Sequence, residues 1–464
     1  MRIMPISDSP KAPTGFGTNT KNIACIFTEE GHTVGYGGCQ NQKHEQWKEE
    51  WPLGSGKEVE WENLPIMFPG QERFGEKSFE QWLSNFRPDL ILTHLDIQMF
   101  AHVVERKRIK GVNIPLYDAD NKPLNKKERL KLLETAAKEV AKGVPWKLAS
   151  IIPFDGQPSV KDWWIALEQI DYPVCMSSYG KEVVKADFPQ LGEQWHNNVT
   201  VIPHGVDTNF FKPKLNVKPD DAFVVGCVAR NQHRKNIPRL IKAFKYFVEK
   251  NNLTPKETRL LLHMDWDDYM GWKIEPMAED YGIKEFLIPR TMGGIDQGGG
   301  VSEEAMVDIY NMMDIFALPT AGEGFGIPTI EAMACGLPVL ATNYTTTFEL
   351  VGADNPYEDE IPLFPHGDGA QNGRDTLEDE DFTNRGCLVP YKDMWWDTPQ
   401  RAAPQRAIVS EVAMGEAMSR YYHDRDMVFE HGKNARAHMK KFYDWNVIGQ
   451  RWKDFVKRVE KEQK

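Results

Sequence analysis

Short apolar runs alternate with helical patterns along most of the chain, and this limits the fold more than any other feature. Leu148-Ala-Ser-Ile-Ile-Pro153, Tyr172-Pro-Val-Cys-Met-Ser177 and Val199-Thr-Val-Ile-Pro203 read as strands in the first half. Asp89-Leu-Ile-Leu-Thr93 reads the same way. In the second half the strands are Phe223-Val-Val-Gly-Cys-Val-Ala229, Arg259-Leu-Leu-Leu-His263, Asp314-Ile-Phe-Ala-Leu318 and Leu337-Pro-Val-Leu-Ala341. Helical patterns such as Ile237–Glu249 and Ser302–Met313 lie between them. Such alternation predicts an α/β chain with parallel sheets covered by helices on both faces. A length of 464 residues suits two domains. The break falls in His204–Asp221, which holds Gly205, Pro213 and Pro219 and lacks strong periodicity. Two Rossmann-like domains are expected, residues 1–205 and 206–440, with their sheets facing across a cleft. The last segment, from Trp445 to Val459, has the spacing of an amphipathic helix, and residues 444–464 are expected to pack back on the first domain. Ligands of open parallel sheets bind beyond the carboxyl ends of the strands, so the motifs belong in that cleft.

Composition narrows the class. No apolar run approaches the roughly 18 residues of a membrane helix. Asp8, Lys11 and Pro13 stand where a secretory leader needs an apolar block, so a cytoplasmic protein is expected. The six cysteines show no CxxC pair and no zinc-like spacing, which suits reduced core thiols. A net charge of −12 argues against a general nucleic-acid binder. The stretch from Arg106 to Lys147 is nonetheless basic, and the stretch from Asp354 to Phe382 is acidic. Solvated faces explain both, and Lys126–Lys142 alternates like a helical insertion. The basic stretch could otherwise meet an acidic acceptor.

The richest segment runs Pro319-Thr-Ala-Gly-Glu-Gly-Phe-Gly-Ile-Pro-Thr-Ile-Glu-Ala-Met-Ala-Cys-Gly-Leu-Pro-Val-Leu-Ala341. A strand ends near Leu318, a glycine-rich turn follows, and Pro328 suits a first helical position. Gly336 ends the helix and Pro338 blocks its extension. Glycines let backbone N–H groups approach a ligand, and a helix start adds free donors and a positive dipole end. Gly324, Phe325, Gly326 and Ile327 therefore form a phosphate cradle. Glu323 and Glu331 flank it, and carboxylates repel phosphate, so hydroxyls are their natural partners: ribose for one, a sugar ring for the other. A nucleotide sugar satisfies both demands.

The string Gly322–Thr342 resembles the donor signature of glycosyltransferase family 4, which has the GT-B fold. Gly15-Phe-Gly17 followed by Glu30-Gly-His-Thr-Val34 resembles the family's first loop and second strand. Val201-Ile-Pro-His-Gly-Val-Asp207 resembles its linker segment, with His204 where asparagine is commoner, and Arg230-Asn-Gln-His-Arg-Lys235 matches its R-x4-K pair. The resemblance implies Gly15 and Gly17 across the cleft from the donor, the base against Ile288–Thr291, and Thr291 as a donor contact. It implies a catalytic position at Asp155, where the family commonly has histidine, and retention of anomeric configuration.

The remaining motifs are weaker. Arg230 and Lys235 follow a strand and can hold a pyrophosphate without metal, with Arg234 solvated and Asn236 capping the next helix. Gly15-Phe-Gly17-Thr18 lacks the third glycine of a dinucleotide fingerprint. His94 and Asp96 end a strand and are acceptor candidates. Asp265-Trp-Asp267 imitates a metal-binding DxD, but a loop is the safer reading. Trp163-Trp164 and Trp395-Trp396 are core or sugar-stacking pairs.

The expected activity is a retaining, metal-independent glycosyltransferase. It would use a nucleoside diphosphate sugar as co-substrate, with no other cofactor and no metal. Arg230 and Lys235 would hold the diphosphate, Glu331 the ribose and Glu323 the sugar. The acceptor stays open: a glycan, lipid, small molecule or nucleic acid. Two alternatives stand beside it: a nucleotide-sugar epimerase of the same architecture, and a transferase-like subunit that binds without turnover.

Overall fold

A computed structural model describes residues 1–12, 14–39, 44–52, 55–67, 72–108, 145–215, 217–218, 220–289, 301–359, 363, 373–397 and 404–464. Thr291, the Lys126–Lys142 pattern and most of the basic stretch lie outside the described residues.

The first half contains β1 (Arg2–Asp8), β2 (Thr33–Cys39), β3 (Gln46–Glu50), β4 (Glu58–Leu64), β5 (Leu90–His94), β6 (Lys147–Ile152), β7 (Tyr172–Cys175) and β8 (Thr200–Val201). They form one sheet in the order β3-β4-β2-β1-β5-β6-β7-β8. Every pairing is parallel except β3 with β4. The second half contains β9 (Phe223–Val228), β10 (Thr258–His263), β11 (Ile315–Leu318), β12 (Val339–Thr342), β13 (Phe382–Thr383) and β14 (Gly386–Val389). Their order is β10-β9-β11-β12-β14-β13, and only β13 with β14 is antiparallel. β15 (Tyr391–Trp396) and β16 (Gln405–Val409) form a separate antiparallel hairpin. Sheets of this kind are α/β and doubly wound, and their central strands are buried on both faces.

Strand order fixes the crevices. β1 lies between β2 and β5, and β9 between β10 and β11, so each sheet reverses its winding there. The carboxyl ends of β1 and β5, and of β9 and β11, are the places where such folds bind ligands.

The final helix, Trp445–Gln463, starts on Asp444, whose Oδ1 accepts from Asn446 N–H at 2.9 Å. Its buried residues Trp445, Ile448, Trp452, Phe455, Val456 and Val459 recur at helical spacing. They lie against the first half: Trp452 meets Phe27 edge to face at 6.0 Å. Lys453 reaches Glu29 at 3.1 Å and Glu30 at 3.2 Å. No helix among the described residues is long and apolar enough to cross a membrane. All six cysteines are buried and unpaired.

One contact between the halves carries a pH dependence. Glu349, in the turn Phe348–Gly352 of the second half, is fully buried. Its Oε2 accepts from the Tyr179 amide at 3.2 Å in the first turn of the helix Ser178–Asp187. Its Oε1 has no partner among the described residues. Burial pushes this carboxyl up to about 8. The folded state therefore keeps a proton that the unfolded chain loses, so stability falls as pH rises from the usual carboxylate range towards 8. Glu349→Gln keeps an acceptor and removes the charge. Its melting temperature is expected to fall less than the wild type's between pH 5.5 and 8.5, a gap on the order of 1 kcal/mol per pH unit. Parallel pH curves would remove this role.

Candidate active site in the cleft

β9 is followed by a single tight turn, His233–Lys235, and then by Asn236 in the left-handed region at φ 56°. Asparagine tolerates that conformation better than most residues. The turn tucks Lys235 inward: its side chain is 11% exposed and its Nζ donates to Glu323 Oε1. Arg234 Nη1 reaches Glu323 Oε2 at 3.1 Å and also donates to the Gly322 carbonyl. Arg234 Nε meets Asp155 Oδ2 at 3.3 Å. Asp155 Oδ1 in turn meets Arg406 Nη1 at 3.1 Å. A continuous ionic chain therefore runs Lys235–Glu323–Arg234–Asp155–Arg406, from the turn after β9 through the loop after β6 to β16.

The charges shift one another. Burial alone would raise the Glu323 carboxyl, but Lys235 and Arg234 outweigh it and hold it at about 2. Burial likewise works against Asp155, which Arg406 and Arg234 hold below the usual carboxylate range. Burial lowers Lys235, with Glu323 opposing. Each acid is thus ionised at neutral pH, and three cations share two carboxylates.

The glycine turn sits beside this chain. The Glu323 amide donates to Thr345 Oγ1 at 2.9 Å, and Thr346 Oγ1 donates to the Phe325 carbonyl at 2.9 Å. Those two threonines fix the turn by one amide and its carbonyls. The amides of Gly324, Phe325, Gly326 and Ile327 make no hydrogen bond within the described residues. Gly326, at φ 104°, begins the helix Ile327–Ala334, with Pro328 at its second position rather than its first. The first half closes over this turn. A β-carbon on Gly15 would stand 2.8 Å from Ile327 Cδ1, and one on Gly322 would stand 2.2 Å from the Asp155 carbonyl oxygen.

Glu331 stands one turn along that helix and accepts from Tyr310 Oη at 2.6 Å. It borders a cleft together with Ile327, Glu303 and, from the first half, Asn19, Lys21 and Trp51. Burial pushes the Glu331 carboxyl up to about 7, with Tyr310 opposing. Burial and the nearby Asp155 push Asp96 up to about 6.

This geometry can be set beside known proteins. Over its whole length the chain superposes on sucrose-phosphate synthase from Thermosynechococcus elongatus, covering 100% of each chain at a TM-score of 0.66 and 16% identity. The chain has the GT-B fold. Residues 222–372 match the family described as Glycosyl transferases group 1. The O-antigen chain mannosyltransferase B of Escherichia coli is 34% identical over 121 residues, covering 26% of this chain and 28% of that protein. The MMP alpha-(1->4)-mannosyltransferase of Mycolicibacterium hassiacum is 25% identical over 211 residues, covering 43% and 45%. The chain thus spans less than half the length of either curated relative.

Within this GT-B chain the sequence-predicted residues fall into three groups. Lys235, Glu323, Asp155, Gly324, Phe325, Gly326 and Ile327 come together, and Gly15 faces them. Glu331 lies beside them, on the cleft. Arg230 does not join the ionic chain: its side chain is 60% exposed and pairs with Asp268 at 3.2 Å. Arg234, read from sequence as solvated, takes the inner place instead, because the tight turn points the adjacent Arg234 and Lys235 inward together. Asn236 does not cap the helix Ile237–Asn251; its Nδ2 donates to the Ala407 carbonyl at 3.3 Å. Gly15 and Gly17 open the helix Gly15–Glu29, capped by Thr14, rather than forming a free loop.

His94 is fully buried, with Nδ1 2.7 Å from Thr20 Oγ1. Its ring lies 4.8 Å from Phe16 and 5.2 Å from His204, which lies 4.9 Å from Phe325. These rings form a column between the halves, so His94 and His204 pack rather than face a cleft. Burial lowers both histidines, His204 to about 3, so the column is neutral at physiological pH. Asp265 accepts from the Asp267 amide at 2.9 Å, and Asp267 pairs with Lys273 at 3.5 Å, so both serve their own loop. Trp163 packs 6.2 Å from Phe154, while Trp164 and Trp396 are exposed. Sequence reasoning missed Arg406, whose only signal is an arginine inside a short apolar strand.

Glu331 yields a direct prediction. Glu331→Ala is expected to weaken nucleoside diphosphate binding by about 10-fold, the cost of a hydrogen bond to a charged group. In the wild type that affinity should rise with pH through about 7, as the carboxyl ionises. Calorimetry at pH 6 and 8 checks both; equal affinities for the two proteins at pH 8 would remove the ribose assignment.

Proposed function

We propose that the chain is a retaining, metal-independent glycosyltransferase that moves a hexosyl group from a nucleoside diphosphate donor to an acceptor hydroxyl. The observation that carries the reading is the juxtaposition of four unbonded amides, Gly324–Ile327, with the paired cations Lys235 and Arg234. Free amides at a helix start bind phosphate oxygens, and preorganised cations stabilise charge that develops on a leaving diphosphate. The relatives' names make a mannosyl group the first donor to try.

In this mechanism the bond from the sugar's anomeric carbon to the phosphate oxygen breaks, and the acceptor oxygen bonds to that carbon from the same face. The acceptor's proton passes to the departing phosphate oxygen. Lys235 and Arg234 meet the diphosphate charge, which draws them from Glu323 and frees that carboxylate for sugar hydroxyls. Glu331 accepts from the ribose. Contact of the first half with the glycine turn excludes water and limits hydrolysis.

The test is product formation from a panel of GDP-, UDP- and ADP-sugars, with mannosyl donors first, in the presence of a chelator. Transfer with retained anomeric configuration, undiminished by chelation, supports the reading. Loss restored by Mn²⁺ contradicts metal independence, and conversion of donor without acceptor favours epimerisation.

A further inference from the structure

The β15–β16 hairpin belongs to neither sheet and lies beyond the residues that the family model matches. It nevertheless reaches the centre of the cleft. Hydrogen bonds to its backbone hold β16 there. The Gln405 amide donates to the Gln157 carbonyl of the first half at 2.6 Å. The Ala407 amide donates to the Ala321 carbonyl of the glycine turn at 3.2 Å, and the Ala407 carbonyl accepts from Asn236. Tyr391 and Ala407 pack into the apolar core of the first half. The strand is thus wedged between the halves, and Arg406 stands at the point of the wedge.

Arg406 is 5% exposed. Its Nη1 donates to the Asp155 carbonyl at 2.6 Å and meets Asp155 Oδ1 at 3.1 Å, while Nε donates to Asp397 Oδ2 at 3.0 Å. Asp397, on the same hairpin, therefore fixes the guanidinium that fixes Asp155. Asp155 Oδ2 then takes Arg234 Nε from one side, as Glu323 takes Nη1 from the other. A guanidinium is planar, so two carboxylates on adjacent donors define its plane. One of those carboxylates comes from each half of the chain.

We propose that Arg406 is a positioning residue for sugar transfer: by clamping Asp155 from the hairpin, it sets the plane in which Arg234 meets the leaving diphosphate. The proposal rests on the transferase reading and adds to it a role for a segment outside the matched family region. Arg406 itself need not touch the donor, since the bonds of its Nε and Nη1 go to protein acceptors.

The experiment compares wild type, Arg406→Gln, Asp155→Asn and the double variant, assayed well below their melting temperatures. Arg406→Gln is expected to lower kcat by about 10²-fold with donor KM within about threefold of wild type, since a misplaced group costs rate rather than binding. The double variant is expected to lose no more than the worse single variant, because both changes cut the same link. Unchanged kcat, a change in KM alone, or losses that multiply would each overturn the proposal. Should Arg406→Gln not fold, Arg406→Lys carries the test: it keeps the charge but cannot hold both oxygens and Asp397. A loss of at least about fivefold in kcat supports the clamp, and wild-type kcat overturns it. A crystal structure of the folded variant reads positioning without turnover: Arg234 leaves Asp155 if the inference holds and keeps its place if it does not. Wild-type protein that turns over no donor sinks the transferase reading and the transfer half of this inference, and the Arg234 position still decides the other half.

Discussion

Lys235→Ala is expected to lower kcat/KM for sugar transfer by about 10²–10³-fold, the usual cost of removing one preorganised donor to developing charge. Lys235 is nearly buried against Glu323, so its ammonium is held in place before the donor arrives. Among the described residues no other lysine joins the ionic chain at the end of β9, and Arg234 would have to meet both Glu323 and the diphosphate. Its loss also leaves Arg234 as the cation that lowers Glu323 among the described residues, so the Glu323 carboxyl should rise from about 2. Initial rates over donor concentration give the test. A variant within about threefold of wild type would show that the diphosphate is held elsewhere.

Glu323→Gln is expected to have the largest effect on stability. The carboxylate is 7% exposed and holds Lys235 and Arg234 together. Glutamine keeps the shape and loses the charge, leaving Arg234 paired with Asp155 and Lys235 with no ion pair among the described residues. Breaking a buried ion pair from one side costs about 3–5 kcal/mol. The sign of the pH dependence follows from the depressed carboxyl. Its contribution is complete above the usual carboxylate range and disappears as pH falls towards about 2. Wild type should therefore lose stability on acidification through that window, and the variant should start lower and fall less. Denaturant titrations at pH 7 and pH 3 measure both. Equal stability at pH 7 would mean that the cations need no internal counter-charge.

How much of this was legible in the residues depended on whether the signal was local. The central strands showed because burial on both faces makes them continuously apolar, as in Phe223–Val228. The edge strand Gln46–Glu50 and its neighbour Glu58–Leu64 carry charges on their exposed positions and left no such run. The glycine turn and its helix were legible as a string because every part lies within about one strand, turn and helix of sequence. The tight turn at His233–Lys235 defeated spacing arguments. Two adjacent basic residues both enter the site there, while Arg230, matched by pattern, points to Asp268. Arg406 was out of reach for another reason. It stands 251 residues from Asp155, and nothing local says that a hairpin after β14 turns back into the cleft.

The central claim is that main-chain amides and Lys235 together grip the donor's phosphates. A crystal structure of the protein with a nucleoside diphosphate examines this most directly. The expected result is phosphate oxygens within hydrogen-bond distance of the Gly324–Ile327 amides and of Lys235 Nζ, with Glu331 on the ribose. A diphosphate bound away from that turn, or Lys235 still locked on Glu323 with the phosphates elsewhere, would contradict it.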